Sequence, residues 1–145
     1  MTELFIHGDR RSGKTRASMQ LLVDHCRRND NQKCVWYAAT YEFCKLALHE
    51  FQSLYPLEIG EEGYKIIKRR PMKIIFRNGS YIELRSAQSP DYLVGEIDFL
   101  VIDEASFFPI AQIEVLRTSI ALNGGARIVI NSTKSWEMEN QEPKE

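Results

Sequence analysis

Little in this chain points away from an ordinary globular domain. Cysteine is scarce: only Cys26, Cys34 and Cys44 occur, with no C-x-x-C pair and an odd count. A reducing cytosol with three buried thiols fits that pattern better than a Cys26–Cys34 disulfide. No apolar run approaches the roughly 20 residues that a bilayer span requires, and no signal peptide is legible, so no membrane partner is expected. Charge of one sign is not in excess. Lys and Arg number 19 against 20 Asp and Glu, a net charge of −1. No global basic field therefore advertises nucleic acid, and any such contact must come from a local patch. Internal repeats and low-complexity segments are absent. What remains is 145 residues, 43% apolar and 27% charged. That is one domain long enough to bury a real core.

The stretch that organises the rest is Gly8-Asp9-Arg10-Arg11-Ser12-Gly13-Lys14-Thr15. It reads G-x-x-x-x-G-K-T, a phosphate-binding loop. Leu4-Phe5-Ile6 before it reads as a buried strand, and Ala17, Leu21, Leu22 and Cys26 after it recur at helical spacing. Loop amides and a helix N-terminus present donors and partial positive charge to a phosphate. Gly8 and Gly13 allow backbone angles and a close approach that a Cβ would obstruct. Lys14 can reach the β- and γ-phosphates of a nucleotide, and the Thr15 hydroxyl can ligate Mg²⁺.

The spacing predicts a first helix over 14–28, stopped by Asn29-Asp30-Asn31, and a buried strand over 34–39. Thr40 then caps a second helix whose face carries Phe43, Leu46, Ala47, Phe51 and Leu54, closed by Tyr55-Pro56. His49 falls on that helix's polar side and reads as structural. A surface loop follows over 57–63. Ile74-Ile75-Phe76 and Tyr81-Ile82-Glu83-Leu84 flank Arg77-Asn78-Gly79-Ser80, and Asn-Gly between β-rich runs predicts a hairpin turn with positive φ at both central residues. Between Tyr64 and Ile82 lie six basic residues and no acid: Lys65, Lys68, Arg69, Arg70, Lys73 and Arg77. Two readings stand for them. One is a patch for a phosphate backbone; the other is a charged edge that resists edge-to-edge pairing.

Residues 86–96 are polar and turn-like. Phe99-Leu100-Val101-Ile102 is the next buried strand, with Asp103-Glu104 at its carboxyl end. Pro109 opens a third helix bearing Ile113, Leu116 and Ile120, with a C-terminal cap expected at Asn123-Gly124-Gly125. Arg127-Ile128-Val129-Ile130 is the last strand, followed by Asn131-Ser132-Thr133. The division expected is an ATPase domain over 1–136 and a polar, fraying tail over 137–145. Trp36 and Trp136 read as packing residues. Strands alternating with helices predict an α/β P-loop NTPase: a mostly parallel sheet flanked by helices, with an inserted β-hairpin. Ligands of such sheets bind beyond the carboxyl ends of the strands, so Gly8, Asp103 and Asn131 are expected on one rim.

On that rim the residue types suit ATP hydrolysis. Asp103 and Thr15 would hold Mg²⁺, and Glu104 would orient or polarise the attacking water, a residue that a small-molecule kinase does not need. Its plainer reading is an exposed carboxylate after a strand. Transition-state charge needs a cation, and Arg10 is the first choice, with Arg11 and Arg85 nearby in the pattern. Asn131, Ser132 and Thr133 stand where they could sense the γ-phosphate, or form an ordinary strand-ending turn.

These residues, taken in order, resemble the ATPase core of the large terminase subunit, the motor that packages double-stranded DNA into tailed-phage capsids. The resemblance runs from Leu4 to Thr133. It rests on G-D-R-R-S-G-K-T with arginine at its third position, Tyr37-Ala38-Ala39-Thr40-Tyr41, the Asn78-Gly79-Ser80 hairpin leading on towards Gly95, Val101-Ile102-Asp103-Glu104-Ala105, and Asn131-Ser132-Thr133. It implies an ATPase using ATP and Mg²⁺, catalytic Lys14, Glu104 and Arg10, and coupling through Ser132 and Thr133. It also implies partners: double-stranded DNA, a portal, a small terminase subunit and further copies in a ring, in a host cytoplasm. The chain departs from the family pattern at Val94, where an arginine is usual, and at Lys134, where proline is usual. Only seven residues precede Gly8, and no nuclease domain is legible, so DNA cutting is not expected unless a separate chain supplies it. Two other readings are a helicase-like nucleic-acid ATPase and a nucleotide-binding remnant without turnover; a metabolite kinase is more distant.

Overall fold

The computed structural model of the protein describes residues 2–8, 13–56, 63–87, 97–121 and 127–133. The elements run β1 (Thr2–His7), α1 (Lys14–Arg28), β2 (Lys33–Ala38), α2 (Tyr41–Leu54), β3 (Tyr64–Ile67), β4 (Met72–Phe76), β5 (Tyr81–Ser86), β6 (Phe99–Ile102), a 3₁₀ turn (Ala105–Phe107), α3 (Ile110–Ala121) and β7 (Arg127–Ser132). The strands form one sheet in the order β1-β7-β6-β2-β5-β4-β3. Every neighbouring pair from β1 to β5 is parallel, and β4 and β3 add antiparallel at the far edge. The expected α/β architecture is therefore present, with an additional strand, β3, beside the predicted hairpin.

Apolar continuity explains the central strands. All four residues of β6 are buried, as are Cys34 to Ala38 of β2 and Ile128 to Ser132 of β7, because helices cover both faces of a parallel sheet. On one face Met19, Leu22, Val23 and Cys26 of α1 and Cys44, Ala47, Leu48 and Phe51 of α2 pack on Trp36, Ile74, Ile82, Leu84 and Val101. On the other, Ile113, Leu116 and Ile120 of α3 pack on Val35, Leu100, Ile102, Ile128 and Ile130. Trp36 is wholly buried, in keeping with a packing role, and the three cysteines are buried free thiols. Burial pushes the Cys44 thiol up to about 12. No described helix is long and apolar enough to cross a membrane.

Caps follow the side chains available. Thr40 accepts a hydrogen bond from the Phe43 amide at 3.2 Å, as an N-cap should. The Pro109 carbonyl accepts from Gln112 and Ile113 and so opens α3. Asn29 donates from its side chain to the His25 carbonyl and closes α1.

Several expectations need correction. β1 is an edge strand, and its Leu4 is 44% exposed, so Leu4-Phe5-Ile6 is not buried on both faces. Leu21 and Leu46 point outward, at 41% and 62% exposure. The inner stripes run instead through Ser18-Met19-Leu22-Val23 and Cys44-Ala47-Leu48. Asn131 and Ser132 belong to β7 itself. At the β4–β5 turn only Gly79 has positive φ, at 87°. The Gly79 amide donates to Phe76 and the Phe76 amide to Ser80, which is a turn closed by one left-handed glycine instead of two left-handed residues. A Cβ on Gly79 would also collide with the Asn31 side chain. The predicted cap at 123–125, Gly95, Val94, Lys134, Trp136 and the 137–145 tail lie outside the described residues.

Candidate active site

Three strands and one helix converge at the carboxyl rim. β1 leads to Gly8, whose amide donates to the Ser132 carbonyl at 3.2 Å, tying the exit of β1 to β7. Gly13 ends the loop with φ of 81° and forms the N-cap of α1. A Cβ there would meet no protein atom within 4 Å, so the left-handed backbone, not crowding by the protein, calls for glycine. Having no side chain, Gly13 offers the first-turn amides no acceptor, and those amides suit an anion. Asp9, Arg10, Arg11 and Ser12 lie outside the described residues.

Lys14 and Thr15 open α1 beneath this cap. The Thr15 hydroxyl donates to the Asp103 carboxylate at 3.2 Å, and the buried Lys14 ammonium lies 3.3 Å from Glu104. Asp103 follows β6, anchored by its amide on the Tyr37 carbonyl. Burial raises its pKa to about 6, against the opposing pull of hydrogen bonds from Asn131 and Thr15; Glu104 pushes it up further and Lys14 draws it down. A hydroxyl and a carboxylate side by side are hard oxygen donors, a set that suits Mg²⁺.

Glu104 occupies the left-handed region at φ 55°, ψ 69°, and its amide donates to the Asn131 side chain at 2.7 Å. Asn131 is fully buried and also donates to the Ser18 hydroxyl at 3.0 Å, bracing β7 against α1. The Glu104 carboxylate accepts from the Thr133 amide at 2.7 Å, the Thr133 hydroxyl, and the Ser106 hydroxyl at 2.8 Å, besides facing Lys14. Burial pushes its pKa up, but Thr133, Ser106 and Lys14 together outweigh that and hold it below the usual carboxylate range. Four donors satisfy both carboxylate oxygens.

Beside these residues opens a cleft of about 470 Å³, floored by Lys14, Thr15, Asp103 and Glu104 and walled by Phe43, Leu46, Ala47, His49, Glu50 and Phe107. Phe43 and Phe107 of its lining stack on each other, with ring centroids 5.4 Å apart. Of the residues singled out from sequence, the structure brings together Lys14, Thr15, Asp103, Glu104, Asn131 and Thr133, with Ser132 buried alongside. Sequence reasoning missed Ser18, Ser106 and the Phe43–Phe107 wall. Ser18 lies one helical turn from Lys14, and Ser106 two residues past Glu104, but single serines carry no distinctive spacing.

The six basic residues span both ends of the β3–β4 hairpin. β4 runs against the parallel strands, so the β3–β4 turn with Lys68, Arg69 and Arg70 reaches the same rim as Asp103. Arg77 lies at the opposite end, where Asn78 contacts Cys26, Asn29 and Asn31.

No protein-family model and no curated protein sequence matches the chain. Solved structures do. The HK97 bacteriophage large terminase aligns over 93% of the chain with TM-score 0.76 and 16% identity, and the chain spans 30% of that protein. The large terminase of a thermophilic bacteriophage, in complex with ATP-gamma-S, aligns over 90% with TM-score 0.68 and 16% identity, the chain spanning 32% of it. The N-terminal domain of the DNA packaging ATPase from bacteriophage phi29 aligns over 99% with TM-score 0.59 and 15% identity, the chain spanning 81% of it. The chain thus has the fold of phage large-terminase ATPase domains.

Proposed function

We propose that this chain hydrolyses ATP with Mg²⁺ as the motor core of a large-terminase-like, double-stranded-DNA packaging machine. The observation that carries the reading is the meeting of Lys14, Thr15, Asp103, Glu104 and Thr133 on one rim of a terminase-type sheet. In this reading the first-turn amides and Lys14 bind the β- and γ-phosphates, and Arg10 adds charge from within the loop. Thr15 and Asp103 would hold Mg²⁺, which would supply charge neutralisation to the phosphates. Glu104, ionised at neutral pH, orients the attacking water. Because its carboxylate is fully engaged, one of its donors must first give way. Thr133 supplies two of them, so it links the state of the glutamate to β7.

Steady-state ATP hydrolysis, with and without duplex DNA, tests this against Glu104→Gln. Turnover should rise with DNA and fall by at least about 100-fold in the variant. Nucleotide binding without turnover in either condition would overturn hydrolysis and favour a binding remnant. Full activity of Glu104→Gln would overturn the role given to Glu104.

A further inference from the structure

The β3–β4 hairpin is electrostatically one-sided. Between Tyr64 and Phe76 it carries Lys65, Lys68, Arg69, Arg70 and Lys73 and no acid, in a chain of net charge −1. Lys65, Lys68, Arg69 and Arg70 are exposed and Lys73 is half-buried. None of the five forms an ion pair with another described residue, whereas Arg16, Arg28, Lys45, Arg85 and Arg117 each hold a carboxylate. The hairpin is also firmly placed. The Arg70 guanidinium lies 3.6 Å from the Tyr41 ring centroid, the Tyr64 hydroxyl donates to the Tyr55 carbonyl at 2.6 Å, and Phe51 packs edge-on against Tyr64 and Phe76.

Register extends the cationic surface. Lys33, Tyr81, Ile75 and Lys65 face one another across β2, β5, β4 and β3, and Lys73 lies beside Glu83 in the next row. Lys33 is exposed, and Glu83 is neutralised by Arg85 at 2.7 Å. Three strand spacings separate Lys33 from Lys65, about 14 Å. A duplex of that length presents roughly eight phosphates. Cations spread over such a span, without converging on a pocket, match a linear polyanion better than one small acid. The outward apolar residues Ile67, Ile75 and Tyr81 are half-buried, which disfavours insertion into a lipid surface.

We infer that the β3–β4 hairpin, with Lys33 beside it, is the surface on which this chain grips the phosphate backbone of duplex DNA. The choice of DNA as the polyanion rests on the function proposed above; the surface itself rests on the charge pattern. The hairpin packs on α2, whose Phe43, Leu46 and Ala47 wall the nucleotide cleft, so one helix separates the two sites.

Fluorescence anisotropy of a labelled 30-base-pair duplex across a salt titration tests it, on the full chain, the triple variant Lys65→Gln/Lys68→Gln/Arg69→Gln, and Arg117→Gln, with DNA-free ATP hydrolysis measured on the same samples. The triple variant should bind at least about tenfold more weakly and flatten the slope of log K against log salt by about 2.7, at about 0.9 per lost contact. Arg117→Gln, beside β1 at the other edge of the sheet, should leave both unchanged. An unaltered slope in the triple variant, an equal loss in Arg117→Gln, or equally tight binding to phosphatidylserine vesicles would overturn the inference. Hairpin-dependent DNA binding by a chain that hydrolyses no ATP would remove the motor reading and leave the surface standing.

Discussion

Asp103 is the most perturbed carboxyl in the site, and its perturbation has a measurable sign. Burial holds its proton to about pH 6, against 3.8 for an ordinary aspartate. Between those values the folded state binds more protons than the unfolded one, so this group makes stability fall as pH rises. Below about pH 4 both states are protonated and the penalty vanishes; above about pH 6 it is complete, at most roughly 3 kcal/mol. In a chelator, urea unfolding from pH 4 to 7 should therefore show wild type losing stability relative to Asp103→Asn, and Mg²⁺ at pH 7 should narrow the gap. A pH-independent difference would remove burial as the cause. The identity of Asp103 was legible because a motif fixes it: apolar strand, then Asp-Glu, downstream of a G-K-T loop. The left-handed backbone of Glu104 was not legible, because only the distant Asn131 side chain, holding the Glu104 amide, accompanies it. Ser18 and Ser106 were missed for the same reason, since their partners are set by tertiary packing.

At the scale of elements, β7 matters most, because its exit touches both halves of the chemistry. Asn131 braces α1 and the turn at Glu104, and Thr133 grips the Glu104 carboxylate through amide and hydroxyl. Thr133→Val keeps the shape of the side chain and removes the hydroxyl donor, leaving an acceptor position on Glu104 open to water. DNA-independent hydrolysis should then rise several-fold, while the increment produced by DNA shrinks. A fall in both would mean that Thr133 assists the reaction and does not restrain the glutamate. Elements were read from sequence to very different depths. β2, β6 and β7 were evident because residues buried on both faces leave an unbroken apolar run. α1 has the bounds that its sequence predicts, yet Leu21, which shares the helical spacing of Leu22 and Cys26, faces outward, because spacing alone cannot say which of two adjacent apolar stripes faces the sheet. β3 was missed as a separate strand. Its four residues alternate Tyr64 and Ile66 inward with Lys65 and Ile67 outward, a pattern too short to separate from a basic loop.

The whole molecule is arranged so that a nucleotide would act as a bridge. The site draws on the start of α1, the exits of β6 and β7, and the wall of α2, segments from Lys14 to Thr133 that touch at one rim. A ligand that binds only this assembled rim stabilises the fold by linkage, about 2.7 kcal/mol at a hundredfold excess over its Kd. For a domain of this size each kcal/mol raises the melting temperature by roughly 2–4 °C. Mg²⁺ with ATP-gamma-S should therefore raise Tm by about 5–11 °C in differential scanning calorimetry. ATP-gamma-S with a chelator should raise it by less, because the phosphate charge then goes uncompensated beside Asp103 and Glu104. Lys14→Ala should remain folded and lose the shift, since it removes a buried cation facing the phosphates while Thr133 and Ser106 still satisfy Glu104. An equal shift in Lys14→Ala would move the nucleotide away from this rim. No shift at any concentration would mean that the rim, although assembled, does not bind nucleotide by itself.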